Sequence, residues 1–88
     1  MSNPMMIWVT EARAMDNFTL WLRFSDRSEG KVDLRDFIES DLRPIVRQLR
    51  DPAAFLNLRV EADTVVWANG FDLAPEFLRA RLDTDAAA

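Results

Sequence analysis

Phe18, Leu20, Leu22 and Phe24 fall at every second position, with Thr19, Trp21 and Arg23 between them. A period of two marks a strand with one buried face, and this is the clearest strand signal in the chain. An earlier run, Ile7 to Arg13, alternates with Ile7, Val9 and Glu11 on one side and Trp8, Thr10 and Ala12 on the other. Met15-Asp16-Asn17 supplies the turn between them. Ser25-Asp26-Arg27-Ser28 leads into a third strand, Glu29 to Leu34, with Gly30, Val32 and Leu34 inward. Links this short dictate antiparallel pairing, because a parallel crossover needs a dozen or more residues.

The pattern then changes period. Asp33 predicts a helix N-cap, with Asp36 placed to favour the positive helix end, and Leu34, Phe37 and Ile38 share a face. Pro44 inside a longer helix would remove a hydrogen bond and clash. It therefore splits the region into a short helical turn and a second helix from Pro44 to about Leu49, striped by Ile45, Val46 and Leu49. Asp51-Pro52 repeats the cap-then-proline signal for another turn, with Phe55 and Leu56 as its apolar side. Leu58, Val60 and Ala62 give a fourth strand, and Ala62-Asp63 reverses into a fifth, Thr64 to Trp67.

The most constrained stretch runs from Thr64 to Pro75. A β-branched and aromatic strand ending on Trp67 meets Asn69-Gly70, a dipeptide that tolerates the positive φ of a tight turn. Asp72 is read as a helix cap and Pro75 as an early helical residue. Phe77, Leu78 and Leu82, with Ala74 or Ala80, then make the last helix amphipathic. The sum is an α+β chain: a small antiparallel sheet of about five strands with short helices and a C-terminal helix. Residues 1–6 are an N-terminal extension, 7–82 a single domain and 83–88 a flexible tail.

Composition narrows the function classes. A chain of 88 residues hides roughly 60–65% of its unfolded surface and supports one core. There is no cysteine and no histidine, which removes disulfides, thiolate nucleophiles and the usual zinc ligands, together with the side chain that titrates near neutrality. No metal, cofactor or catalytic residue is expected. The net charge of -4 disfavours non-specific attraction to phosphate backbones. No segment reads as a signal peptide or a membrane span, so the expected location is cytoplasmic.

The strands, Val32-Asp33-Leu34, Asp51-Pro52 with Phe55, and above all Trp67-Ala68-Asn69-Gly70-Phe71-Asp72-Leu73-Ala74-Pro75 resemble the bacterial domain of unknown function 2442 family. The resemblance covers about Ile7 to Leu82. It implies a small α+β fold and no established activity. Members of that kind include some with an added DNA-binding helical region after the domain, and others beside a small partner gene in a toxin–antitoxin layout. This chain ends soon after Leu82, which argues against a DNA role for it.

The candidate surfaces are few. Trp21, opposite the inward Leu20 and Leu22, is expected on the outer sheet face beside Thr19 and Arg23, and Trp8 joins it if the first two strands pair. Exposed aromatics beside arginine mark interaction surfaces, unless Met5, Met6 or the last helix covers them. Arg43, Arg47 and Arg50 would line one side of a continuous helix, either to grip an acidic group or as an ordinary solvated face. Asp33 and Asp72, each following a strand, would approach one another if they ended one sheet. They are the candidates for a minimal carboxylate enzyme, although each is already explained as a cap. Trp67, Asn69, Gly70 and Pro75 complete the turn and cap motif. The leading expectation is a cytoplasmic protein-interaction or regulatory module, antitoxin-like, with a protein partner or a second copy of itself. The alternatives are a DNA-associated subunit through the arginine row and, behind it, the carboxylate enzyme.

Overall fold

Leu20, Leu22 and Phe24 all point the same way from β2 (Thr19–Phe24) and are fully buried, as the alternation requires. In the computed structural model, which describes residues 7–82, β2 is the centre of a three-stranded antiparallel sheet with β1 (Val9–Met15) and β3 (Glu29–Asp33) on either side. The tail at 83–88 and the possible cover from Met5 and Met6 lie outside the described residues. Three short helices follow: α1 (Arg35–Ser40), α2 (Pro44–Arg47) running into a 3-10 turn at Gln48–Arg50, and α3 (Pro52–Leu56). A second three-stranded antiparallel sheet, β4 (Leu58–Glu61), β5 (Thr64–Trp67) and β6 (Asp72–Leu73), precedes α4 (Pro75–Ala80). The α+β class stands, with six strands in two sheets.

The first strand shifts register at a bulge between Val9 and Glu11. An extra residue in one strand reverses which side chains face inward beyond it. Val9 is buried, yet past the bulge it is Ala12 and Ala14 that pack on the core, while Glu11, Arg13 and Met15 face outward opposite Arg23, Trp21 and Thr19. The even alternation from Ile7 to Arg13 is thus corrected: the strand starts at Val9, and Glu11 changes sides.

Phe18 does not begin β2. Met15 pairs with Thr19, leaving a three-residue loop in which Asn17 (φ 61°) and Phe18 (φ 57°) are both left-handed. Asparagine accepts that conformation readily, whereas a bulky aromatic does not. Phe18 is held there by an edge-on contact with Phe55 at 5.3 Å and by its carbonyl, which accepts from the Leu34 N–H at 2.9 Å.

The Asn69-Gly70 turn also leads elsewhere than expected. The Gly70 N–H donates to the Trp67 carbonyl and the Trp67 N–H to the Phe71 carbonyl, both at 2.8 Å, with Gly70 at φ 91°. This is a three-residue hairpin loop closed by a left-handed residue, and it returns the chain into β6 against β5. Asp72 is therefore a strand residue and not a helix cap. The N-cap of α4 is Ala74, with no side-chain bond, and Pro75 is the first helical residue. Burial of Phe71 and Leu73 on the β6 side decides the competition between strand and helix. The other tight hairpin, Ala62 (φ 52°) and Asp63 (φ 69°), joins β4 to β5, and the Asp63 carbonyl accepts from the Val9 N–H at 2.9 Å, linking the two sheets.

An aromatic chain runs through the core. Phe55 and Phe71 each lie 5.8 Å from Trp67, Phe71 lies 6.3 Å from Phe37, and Phe37 lies 5.4 Å from Phe77. Trp67 is 1% exposed, and its indole N–H donates to the Phe55 carbonyl at 2.8 Å. A Trp67→Phe substitution keeps the ring contact but removes the donor and part of the volume, so it is expected to cost about 2–4 kcal/mol. Urea unfolding would show a lower midpoint at unchanged slope. A loss below about 1 kcal/mol would mean that this bond is not a main tie of the core.

Candidate interaction surface

The outer face of the first sheet is built from three cross-strand rows. Glu11, Arg23 and Glu29 form one; Arg13, Trp21 and Lys31 the next; Met15, Thr19 and Asp33 the last. Trp21 stands at the centre, half-buried, with the guanidinium of Arg13 5.6 Å and that of Arg23 5.4 Å from its ring. Glu29 pairs with Arg23 at 2.9 Å, and Glu11 reaches Arg23 at 3.5 Å and Arg13 at 3.2 Å. These carboxylates position the guanidiniums over the indole. The hollow around Trp21 is lined by Glu11, Arg13, Ala14, Met15 and Arg23, all from β1 and β2.

Trp8 does not share this hollow. It is 43% exposed and pairs with Ser25 just beyond β1, its N–H donating to the Ser25 hydroxyl at 3.2 Å. Four residues along β2 separate that position from Trp21, a distance of about 13 Å. Met15 borders a second, apolar cleft of about 190 Å³ with Phe18, Pro52, Phe55 and Leu56. The sequence reading missed Arg13, Lys31 and Met15, because their place on the outer face depends on the bulge and on cross-strand register. Lys31 was accessible through its offset from Val32.

The arginine row is broken. The Arg43 guanidinium grips the Asp41 carboxylate at 2.7–3.1 Å and lies 5.5 Å from the Phe71 ring. Arg50 donates to the Ile38 carbonyl at 3.2 Å and the Glu39 carbonyl at 2.8 Å, closing the end of α1. Arg47 alone of the three has no such partner among the described residues, where it lines a shallow surface with Pro44, Gln48 and Arg50. The spacing that would align them assumes one continuous helix, which Pro44 and the 3-10 turn interrupt.

Asp33 and Asp72 sit on different sheets, which corrects the idea that they end one sheet. The Asp33 carboxylate accepts from the Arg35 N–H at 2.9 Å, while the cap position itself is Leu34, one residue later than expected. Asn69 is the most connected member of the turn motif. Its amide nitrogen donates to the Ile45 carbonyl at 3.0 Å and to Gln48 Oε1 at 2.8 Å, and its oxygen accepts from the Phe71 N–H at 3.0 Å. Among the described residues no three acidic side chains converge as a metal site, and no helix is long and apolar enough to cross a membrane.

Comparison with known proteins agrees with this architecture. The family model described as "Protein of unknown function (DUF2442)" matches residues 9–83, and the chain belongs to that family. No curated protein sequence matches it. Among solved structures, it is similar to the crystal structure of "Putative DNA Binding Protein NE0471" from Nitrosomonas europaea ATCC 19718, with a TM-score of 0.75 and 21% identity. The likeness covers 99% of this chain and 56% of that one, and it is a likeness of fold.

Two outcomes follow from these side chains. Hydrogen bonds from Arg43 hold the Asp41 carboxyl at about 2, below its ordinary 3.8. A lowered carboxylate pKa contributes stability above the ordinary value and loses it as pH falls through the folded one. Between about pH 4 and pH 2, wild-type stability should therefore fall more steeply than that of Asp41→Asn; parallel urea midpoints across that window would contradict this. Asn69→Ala loses all three bonds, whereas Asn69→Asp keeps the acceptor for Phe71 but turns a carboxylate oxygen onto the Ile45 and Gln48 oxygens, so each variant should cost on the order of 1–3 kcal/mol. A wild-type urea midpoint in both variants would show that these bonds add nothing.

Proposed function

With family membership as the premise, we propose that this chain is a small protein-interaction module, a regulatory partner subunit of antitoxin-like character. It works in the cytoplasm by binding another protein through the outer face of its first sheet. The observation that supports this reading is Trp21. Its neighbours on the strand, Leu20 and Leu22, are fully buried, whereas its own ring faces outward between two arginines. Tryptophan and arginine are the residues most enriched where binding energy concentrates, and an ion-paired guanidinium has lost part of its side-chain freedom before any partner arrives. The separation of Asp33 and Asp72 leaves the carboxylate-enzyme reading without a paired site.

A DNA-associated role is the second reading, favoured by the name of the Nitrosomonas europaea protein that shares the fold. In this chain it would rest on Arg47, since Arg43 and Arg50 are engaged locally.

Against the partner recovered by the tagged wild-type chain, Trp21→Ser should weaken binding by the equivalent of about 2 kcal/mol or more. It should change folding stability by less than about 1 kcal/mol. Unchanged partner binding would remove the basis of the interaction reading. Binding to duplex DNA at low salt, weakened by Arg47→Ala together with a shallower salt dependence, would support the second reading in its place.

A further inference from the structure

The three rows of the outer face differ in charge. The Glu11, Arg23 and Glu29 row carries one net negative charge, and so does the Met15, Thr19 and Asp33 row, while the Arg13, Trp21 and Lys31 row between them carries two positive charges. Arg13 is paired with Glu11, but its side chain remains 73% exposed. Lys31 is exposed and makes no ion pair among the described residues. The face is thus a positive stripe with an aromatic centre, bordered by acid, on a chain of net charge -4.

This arrangement selects its occupant. A second copy stacked face to face with aligned strands about a two-fold axis through Trp21 would set the stripe on itself. Arg13 would then meet either Arg13 or Lys31 of the other copy, and like charges at that range repel. A continuous polyanion laid across the stripe would run over the acidic rows, and one laid along it would set a charge on the indole between the two cations. The complement is a segment with two separate negative charges and an apolar group between them.

Distance then decides its conformation. Arg13 and Lys31 are two strands apart, about 9.5 Å. On an extended segment, residues sharing a face are about 6.6 Å or 13 Å apart, which fits neither position well. On an α-helix, residues seven apart return to the same side and are separated by about 10.5 Å. The residue three or four after the first lies on that side between them.

Resting on the interaction reading above, we infer that the partner presents an amphipathic helix lying across the strands of the first sheet. One acidic residue of that helix sits at Arg13, a second, seven positions on, at Lys31, and an apolar residue between them packs on Trp21 and the arginine stems. The helix brings two carboxylates to two cations without meeting the acidic rows. Its apolar residue covers the part of the indole that the guanidiniums leave open.

The test is an NMR titration of the labelled domain with two alanine-rich helical peptides of the same composition. Both carry one leucine and two glutamates; in the first the glutamates are seven positions apart with the leucine between them, and in the second they lie on opposite sides of the helix. The first should shift the Trp21 indole N–H and the Arg13 and Lys31 amides, and bind at least about tenfold tighter than the second. The Arg13→Glu/Lys31→Glu double variant should lose the first peptide and bind its lysine-for-glutamate counterpart. Lys31→Ala, the milder change, should weaken the first peptide without reversing the preference. Equal binding of the two peptides, or an oligothymidylate that shifts the same residues more strongly, would overturn the inference. Failure of the interaction reading would look different: Trp21→Ser would then leave the native partner bound, whatever the peptides do.

Discussion

The indole N–H of Trp67 ends on the Phe55 carbonyl at 2.8 Å, and most of the fold depends on that bond being made inside the core. A buried indole without a partner costs roughly 1–3 kcal/mol, so a tryptophan can fill this position only where a carbonyl waits for it. The carbonyl belongs to α3, a helix of five residues, and the indole to β5, the central strand of the second sheet. The bond therefore fixes the helical segment against the second sheet, and the Phe55 ring carries the connection on to Phe18 at the tip of the first hairpin. One donor and one acceptor tie the helical segment to the second sheet, and the ring contact extends that tie to the first hairpin.

The helices need such ties. None of α1 to α4 exceeds six residues, and helices that short do not persist in water by themselves. Side chains do what length cannot. Arg50 closes the carbonyl end of α1, Asp51 accepts from the Ala53 N–H to open α3, and Asn69 reaches from the loop between β5 and β6 to both Ile45 and Gln48. Two residues proposed from the sequence as parts of a site, Arg50 and Asn69, thus spend their polar groups on holding helices in place. Arg43 is used similarly, between Asp41 and the Phe71 ring.

How much of this was legible depended on whether a signal was local. The inner face of β2, the prolines opening α2, α3 and α4, and the Asp51 cap can be read from adjacent residues, and they stand where expected. The bulge in β1 could not be read, since nothing in Val9-Thr10-Glu11 announces an extra residue, and its consequence was to put Arg13 beside Trp21 and turn Ala12 and Ala14 inward. At Asn69-Gly70 two local signals competed. Asp72 and Pro75 spelled a helix start, while Phe71 and Leu73 at spacing two around an Asn-Gly turn spelled a returning strand. The strand prevailed because it buries both apolar residues against β5. The candidate surface was legible in Trp21 and Arg23, which share a strand, and in Lys31 through its offset from the inward Val32, but illegible in Arg13, which faces outward only because of the bulge.

The two faces of the first sheet therefore answer to different constraints. On the inner face Leu20, Leu22 and Val32 are each fully buried, and any change of volume there is felt by the whole core. On the outer face the pairs Arg13–Glu11 and Arg23–Glu29 are between exposed groups, and such pairs contribute about 0–1 kcal/mol to stability. Their role is better measured by what they do to Trp21. A half-buried indole free to change rotamer would have to be ordered by any partner that used it, at a cost of about 0.5–1.5 kcal/mol. Two guanidiniums, themselves anchored by carboxylates, restrict that freedom in advance. The outer face contributes little to holding the domain together and holds its aromatic surface in place, which is the division of labour that the proposed interaction would use.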